Sequence, residues 1–157
     1  MEIERKYLIN NLDTVGNLSL LKYDVIEQGY LCTEPVIRIR KQSQDYYLTY
    51  KSKGLLQREE INEKISDKTY SHLKEKIDFN LIEKTRYYIP FDNGLVGELD
   101  VFEGKLKGLM VIEVEFKSLD EADEFVPPEW FGREVTFEGA FQNNQLVRLE
   151  SLSGLFL

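Results

Sequence analysis

One pattern constrains this chain more than any other: strand-like segments in which every second residue is charged. Glu2-Ile3-Glu4-Arg5-Lys6, followed by Tyr7-Leu8-Ile9, reads as a β-strand. Its two-residue period places Glu2, Glu4 and Lys6 on one face and Ile3 and Tyr7 on the other. In isolation such a strand fits a solvated edge. The alternation recurs, however, in Arg38 and Arg40, Lys51 and Lys53, Arg58 and Glu60, Lys84 and Arg86, Glu98 and Asp100, and Glu113 and Glu115. Many strands that each offer one charged face make a poor surface but a sensible lining for a wet interior that binds a polyanion and its metals.

Parity sharpens this reading. In Val36-Ile37-Arg38-Ile39-Arg40 isoleucines alternate with arginines, and in Val111-Ile112-Glu113-Val114-Glu115-Phe116 apolar residues alternate with glutamates. If the apolar faces pack against helices outside the sheet, the charged faces look inward. Enclosed like charges are costly, whereas basic and acidic strands facing one another across a hydrated channel relieve that cost. The basic set is Lys6, Arg38, Arg40, Lys51, Lys53, Arg58, Lys84 and Arg86; the acidic set is Glu2, Glu4, Glu60, Glu98, Asp100, Glu113 and Glu115. Carboxylates in that number call for divalent metal as their complement.

Composition narrows the chemistry. The 157 residues are expected to form a single domain, 1–157, with a substantial core. Neither a membrane span nor a signal-peptide core is visible, so the cytoplasm is the expected compartment. One cysteine, Cys32, excludes an internal disulfide, and with one histidine, His72, a thiolate or imidazole zinc site is not expected. Oxygen ligands favour Mg²⁺ or Mn²⁺. A net charge of −8 argues against a nucleic-acid-coating protein.

Turn signals place strands at about 2–9, 24–32, 35–41, 46–51, 56–65, 81–90, 95–102 and 109–116, enough to close a barrel. Ser66 is expected to cap a helix carrying Tyr70, Leu73 and Ile77 on one face, with His72 exposed. Ser118 with Glu121 suggests a second helix to about Phe125, ended by Pro127-Pro128, and 143–150 a third. A helical turn is also expected between Asn10 and Lys22.

The ordered set Glu2-x-Glu4-x-Lys6, Gln28-Gly29-Tyr30-Leu31, Arg38-x-Arg40, Lys51-x-Lys53-Gly54, Arg58-x-Glu60, Lys84-x-Arg86, Glu98-x-Asp100 and Glu113-x-Glu115-Phe116 resembles the CYTH superfamily of triphosphate tunnel metalloenzymes. The resemblance implies an α+β fold, an eight-stranded antiparallel β-barrel forming a tunnel with helices packed outside. It implies a metal-dependent triphosphatase whose substrate is a small-molecule triphosphate. Lys6, Arg38, Arg40, Lys51, Arg58, Lys84 and Arg86 match positions that hold phosphate oxygens. Glu2, Glu4, Glu60, Glu98, Asp100, Glu113 and Glu115 match the acidic set associated with metal, two Mg²⁺ or Mn²⁺ ions being expected. Glu2, Glu4 and Lys6 match the catalytic positions, where a metal-activated water attacks the terminal phosphorus.

The short chain beginning Glu-Ile-Glu-Arg-Lys resembles bacterial inorganic triphosphatases, which split tripolyphosphate into pyrophosphate and phosphate. Thiamine or nucleoside triphosphate hydrolysis, a class IV adenylyl cyclase and a non-catalytic polyphosphate-binding module are the alternatives. Tyr46, Tyr47, Tyr87 and Tyr88 would be the aromatic surface for an organic group. Phe141 stands where family members more often carry tyrosine, and Arg133 is read either as an addition to the anion site or as a solvated turn residue. No nucleic acid or membrane partner is expected, and a homodimer is allowed.

Overall fold

A computed structural model describes residues 1–157. Nine antiparallel strands form one sheet: β1 (Glu2–Leu8), β2 (Tyr23–Thr33), β3 (Val36–Gln42), β4 (Asp45–Lys51), β5 (Gln57–Arg58), β6 (Glu60–Ile65), β7 (Asp78–Pro90), β8 (Val96–Phe102) and β9 (Met110–Phe116). Their spatial order is β5-β1-β9-β8-β7-β2-β3-β4-β6.

The strand count corrects the expected eight, and the extra strand has a local cause. The segment expected as one strand over 56–65 breaks at Glu59, so that β5 pairs with β1 while β6 pairs with β4. The two outermost strands of the sheet are thus consecutive pieces of one bent segment, and the bend closes the ring. It is held from the neighbouring loop: Ser52 donates its amide to the Glu59 carbonyl at 3.0 Å, and its hydroxyl accepts the Glu59 amide at 2.9 Å. Gly54 makes the approach possible, because its φ is +138° and a Cβ there would lie 2.3 Å from the Gln57 carbonyl oxygen.

Register carries the charged faces inward together. Cross-strand partners include Glu2 with Arg58, Glu4 with Glu115, Lys6 with Glu113, Glu113 with Glu98, Arg86 with Asp100, and Lys51 with Glu60. Residues directly opposite share a face, so one inward side chain fixes its neighbour's direction.

The opposite faces build the core outside the barrel. Ile3, Tyr7, Leu99, Ile112, Val114 and Phe116 are buried there beneath α2 (Leu119–Glu124) and the segment carrying Phe131. As expected, Ser118 caps α2, its hydroxyl accepting the Glu121 amide at 3.1 Å. Ser66 likewise caps α1 (Asp67–Lys74), whose Tyr70 packs on Tyr46 with ring centroids 5.1 Å apart. Helix α1 ends before Ile77, the third helix is only α3 (Asn143–Leu146), and the early helical turn is a 3₁₀ turn at Leu18–Leu20.

At one end of the bore the inward positions turn apolar. Leu8, Tyr30, Val36, Phe102 and Val111 pack there against Phe141, Leu146 and Val147. The C-terminal segment is therefore a stopper in that end of the barrel.

Arg5, the one charge on the outer face of β1, ties down α2 and the chain that follows it. Its guanidinium donates two 2.8 Å bonds to Glu134 and further bonds to the carbonyls of Ala122 and Phe125. A bidentate pair with two extra carbonyl acceptors is worth more than a solvated surface ion pair. Arg5→Ala is expected to lower unfolding free energy by about 2 kcal/mol in urea titrations. A loss under about 0.5 kcal/mol, the range of ordinary surface substitutions, would remove the clamp role.

Candidate active site

The bore holds a cavity of about 360 Å³ whose wall contains six cations, Lys6, Arg38, Arg40, Lys51, Arg58 and Arg86, and six carboxylates, Glu2, Glu4, Glu60, Glu98, Glu113 and Glu115. Twelve of the fourteen site residues expected from sequence thus meet in one space.

The other two do not reach it. Lys84 and Asp100 pack behind the wall, with side chains 0% and 2% exposed and an ion pair at 2.7 Å. Asp100 also accepts two bonds from Arg86, at 2.8 and 2.9 Å, so the pair braces an arginine that does line the cavity. Lys53 points outside, 79% exposed and paired with Glu34. Arg133 bonds Glu138 and the Phe156 carbonyl, away from the cavity.

Pairing inside the bore is uneven. Lys51 lies 3.0 Å from Glu2 and 3.7 Å from Glu60, Arg58 lies 3.4 Å from Glu2, Lys6 3.4 Å from Glu113, and Arg86 3.0 Å from Glu98. Arg38 and Arg40 have no carboxylate within ion-pair distance although they are only 5% and 8% exposed. Arg40 donates to Gln28 at 2.8 Å and Arg38 to Thr49 at 3.2 Å, and the Arg38 Nε has no partner. Buried cations satisfied only by neutral groups are costly unless a ligand completes them. Across the barrel, Glu115 has no cation partner and Glu4 touches Arg58 only at 4.0 Å. The free cations on β3 and the free carboxylates on β1 and β9 stand on opposing staves of the ring.

The electrostatics record the same imbalance. Burial, then Glu113 and Glu2, pushes the Glu4 carboxyl well above the usual range. Burial also raises Glu98, Glu115 and Glu60. Burial acts to raise Glu2 too, but Glu60 and Lys51 overcome it and hold Glu2 at about 2. Glu113 is driven well down because Lys6 and Arg86 outweigh its burial. Arg40 falls to about 9 through burial and the fields of Arg38 and Arg86. Burial takes Lys84 down to about 7, with Asp100 pulling the other way and Arg86 and Arg40 adding repulsion.

This donor set fits a hard divalent cation. All the candidate ligands are carboxylate oxygens, and the raised Glu4, Glu98 and Glu115 are groups whose charged forms a cation would stabilise. No three of them converge into a ready-made cage. That is the arrangement for an ion held by one or two carboxylates, water and substrate oxygens.

Several wall residues were not expected from sequence as site residues: Gln42, Gln142, Asn143 and Asn144. Gln42 gave only a turn signal; in the fold its amide donates to Asp24 at 2.9 Å and to the Tyr88 hydroxyl at 3.1 Å. The two asparagines arrive on the C-terminal stopper, which no strand periodicity reveals. Gln28 and Tyr30 lie on the barrel's inner side, Gln28 fully buried under Arg40 and Tyr30 on the cavity wall.

A nearly closed antiparallel barrel with a charge-lined bore defines the tunnel class of proteins. The signature of the CYTH domain matches residues 1–126, and the chain belongs to that family. Among curated relatives it is 40% identical to an inorganic triphosphatase of Nitrosomonas europaea, covering 93% of this chain and 96% of the relative. It is 34% identical to an inorganic triphosphatase of Acetivibrio thermocellus, covering 94% and 93%. A crystal structure of an inorganic triphosphatase superposes with a TM-score of 0.70 at 37% identity, over 95% of each chain. A Hippeastrum protein described as a putative adenylyl cyclase with dominant triphosphatase activity shares the fold, at a TM-score of 0.58 and 18% identity, over 78% of this chain and 83% of that one.

Asp100→Asn would leave Lys84 buried without a counter-charge and strip Arg86 of its bidentate partner. We expect a loss of about 3–5 kcal/mol in unfolding free energy at neutral pH. Asp100 is itself held below the usual range, since Arg86 and Lys84 outweigh its burial. A depressed carboxylate contributes stability above its unfolded value and loses it on acidification. The gap between wild type and variant should therefore narrow as pH falls below about 4. A gap that stays constant with pH would show that the charge of Asp100 is not what matters.

Proposed function

We propose that this chain hydrolyses inorganic tripolyphosphate to pyrophosphate and phosphate with Mg²⁺ or Mn²⁺. The observation that carries the reading is the buried pair Arg38 and Arg40, held in a charge-lined cavity without carboxylate partners. A triphosphate brings about four negative charges whose oxygens suit arginine forks and lysine ammonium groups.

Only Tyr30 and Val36 bring apolar surface to the wall, which suits a ligand made of phosphate alone. Tyr46 packs outward on Tyr70 and Tyr87 on Tyr23, while Tyr88 is bonded to Asp24 at 2.6 Å. Tyr47 stands opposite Arg40 in the sheet, but neither it nor the other three tyrosines lines the cavity, so none supplies a stacking face there for an adenine or a thiazolium. The triphosphatase relatives support the same choice.

In this mechanism Arg38, Arg40, Lys51, Arg58 and Arg86 bind phosphate oxygens, and Lys84 and Asp100 brace Arg86 from behind. Glu2, Glu4, Glu60, Glu98, Glu113 and Glu115 are the residues that would hold the divalent ions. When bound, such ions neutralise the triphosphate and lower the pKa of a coordinated water. Lys6, fixed between Glu113 at 3.4 Å and the Phe141 carbonyl at 3.3 Å, is placed to bind the phosphoryl group under attack. Glu4, which meets a cation only at 4.0 Å, accepts the proton of the attacking water, which Glu2 helps to orient. The new bond forms to the terminal phosphorus, the bridging P–O bond breaks, and pyrophosphate leaves with the electron pair.

Phosphate release from tripolyphosphate should exceed that from ATP and thiamine triphosphate, with no cyclic AMP formed. Glu4→Gln should lower kcat at least about 100-fold, and Arg40→Ala should raise KM about tenfold or more, from the loss of a charge-assisted contact. Tight tripolyphosphate binding without release, in the presence of either metal, would replace the enzyme reading with a binding module.

A further inference from the structure

A second cavity of about 290 Å³ adjoins the bore beside the C-terminal stopper, sharing Val36, Lys51, Arg58, Gln142 and Asn144 with its wall. We propose that this vestibule is the mouth through which the polyanionic substrate enters, with Lys53 and Arg148 as its steering residues. The inference rests on the triphosphate reading above and adds a direction to it.

The first argument is charge. The chain carries a net −8, so most of its surface repels a polyanion, and capture requires a local positive path. The vestibule supplies one: Lys53 and Arg148 on its outer wall lead to Lys51 and Arg58 on the shared wall. Glu34 is its only carboxylate, already paired with Lys53 at 3.1 Å.

The far end of the bore carries both signs. Strand β3 runs from Val36 at the vestibule to Gln42, about 20 Å away at strand spacing. Gln42 there bonds Asp24 and Tyr88, and Tyr88 stands opposite Glu98 in the sheet. Glu98, opposite Tyr88, is paired with Arg86 at 3.0 Å, so this end offers a polyanion no continuous positive path.

Arg148 is also held in place. Its guanidinium donates to the Thr33 hydroxyl at 3.0 Å and stacks 4.1 Å from the centre of the Phe79 ring. Phe79, half exposed, lies where β7 bulges against β2 between Asp78 and Ile82, and its φ of +62° belongs to that bulge. Its ring serves as the platform for Arg148. A surface arginine fixed from two sides at the rim of a cavity leading to buried cations is pre-organised for an anion.

The test is the double charge reversal Lys53→Glu with Arg148→Glu in the full chain, using tripolyphosphate at about 20 mM and about 300 mM added salt. At low salt kcat/KM should fall about tenfold or more with kcat within about twofold of wild type, and its salt dependence should flatten. Glu34→Gln should raise kcat/KM at low salt. Tripolyphosphate affinity by calorimetry, measured on the same proteins, should weaken in parallel, and it reads the vestibule without requiring turnover. Absent turnover with a salt-sensitive affinity that the reversal abolishes would sink the triphosphatase reading and keep the vestibule. Values of kcat/KM and affinity within about twofold of wild type at low salt would overturn the vestibule proposal, as would a fall in kcat equal to the fall in kcat/KM.

Discussion

Everything in this structure depends on enclosing a dozen charges in one bore. Charged side chains withdrawn from water are costly unless partners surround them, and here the partners come from other strands. The barrel is arranged so that β1 and β9 bring carboxylates to face the arginines of β3. Most of these charges compensate one another, through Lys51 with Glu2, Lys6 with Glu113, and Arg86 with Asp100 and Glu98. What is left over is Arg38 and Arg40 on one side and Glu4 and Glu115 on the other. A triphosphate with divalent metal is the kind of ligand that completes both remainders at once.

The scaffold achieves this with few helices. Closure comes from one bent segment whose halves bond to the two sides of the sheet. The apolar outer face gains its cover from α2 and from the chain around Phe131, and the Arg5–Glu134 pair pins that cover to β1. The same region positions the chemistry, because the Thr136 hydroxyl accepts the Lys6 amide at 3.0 Å and the Phe141 carbonyl accepts the Lys6 ammonium. A segment that looks peripheral in sequence therefore fixes the height of a central lysine. Phe141 contributes its ring to the stopper and its backbone carbonyl to that lysine.

Particular elements show how much was legible in advance. The alternation in Val36–Arg40 and in Val111–Phe116 foretells which side of each strand is wet, and the structure puts Arg38, Arg40, Glu113 and Glu115 on the cavity wall. Ser66 and Ser118 foretell two helix starts, since a cap acts within one turn of chain. The break at Glu59 was not legible, because it follows from hydrogen bonds with Ser52 in a preceding loop. Nor was the withdrawal of Lys84 and Asp100, whose spacing matches that of Arg86 and Glu98 but whose depth along the barrel differs. Gln42 and Asn143 join the wall through contacts made only after the barrel closes.

The sequence by itself determined the two-faced character of the strands and the chemistry of the inner face, since side-chain direction in a strand depends on nothing beyond the local backbone period. Tertiary structure alone decided which charges neutralise each other, which two sink behind the wall, and where the bore is stoppered. Those outcomes depend on strand register, on the ring closing at Glu59 and on where the C-terminal segment lands. Each of these is a long-range contact whose energy no local stretch of chain contains.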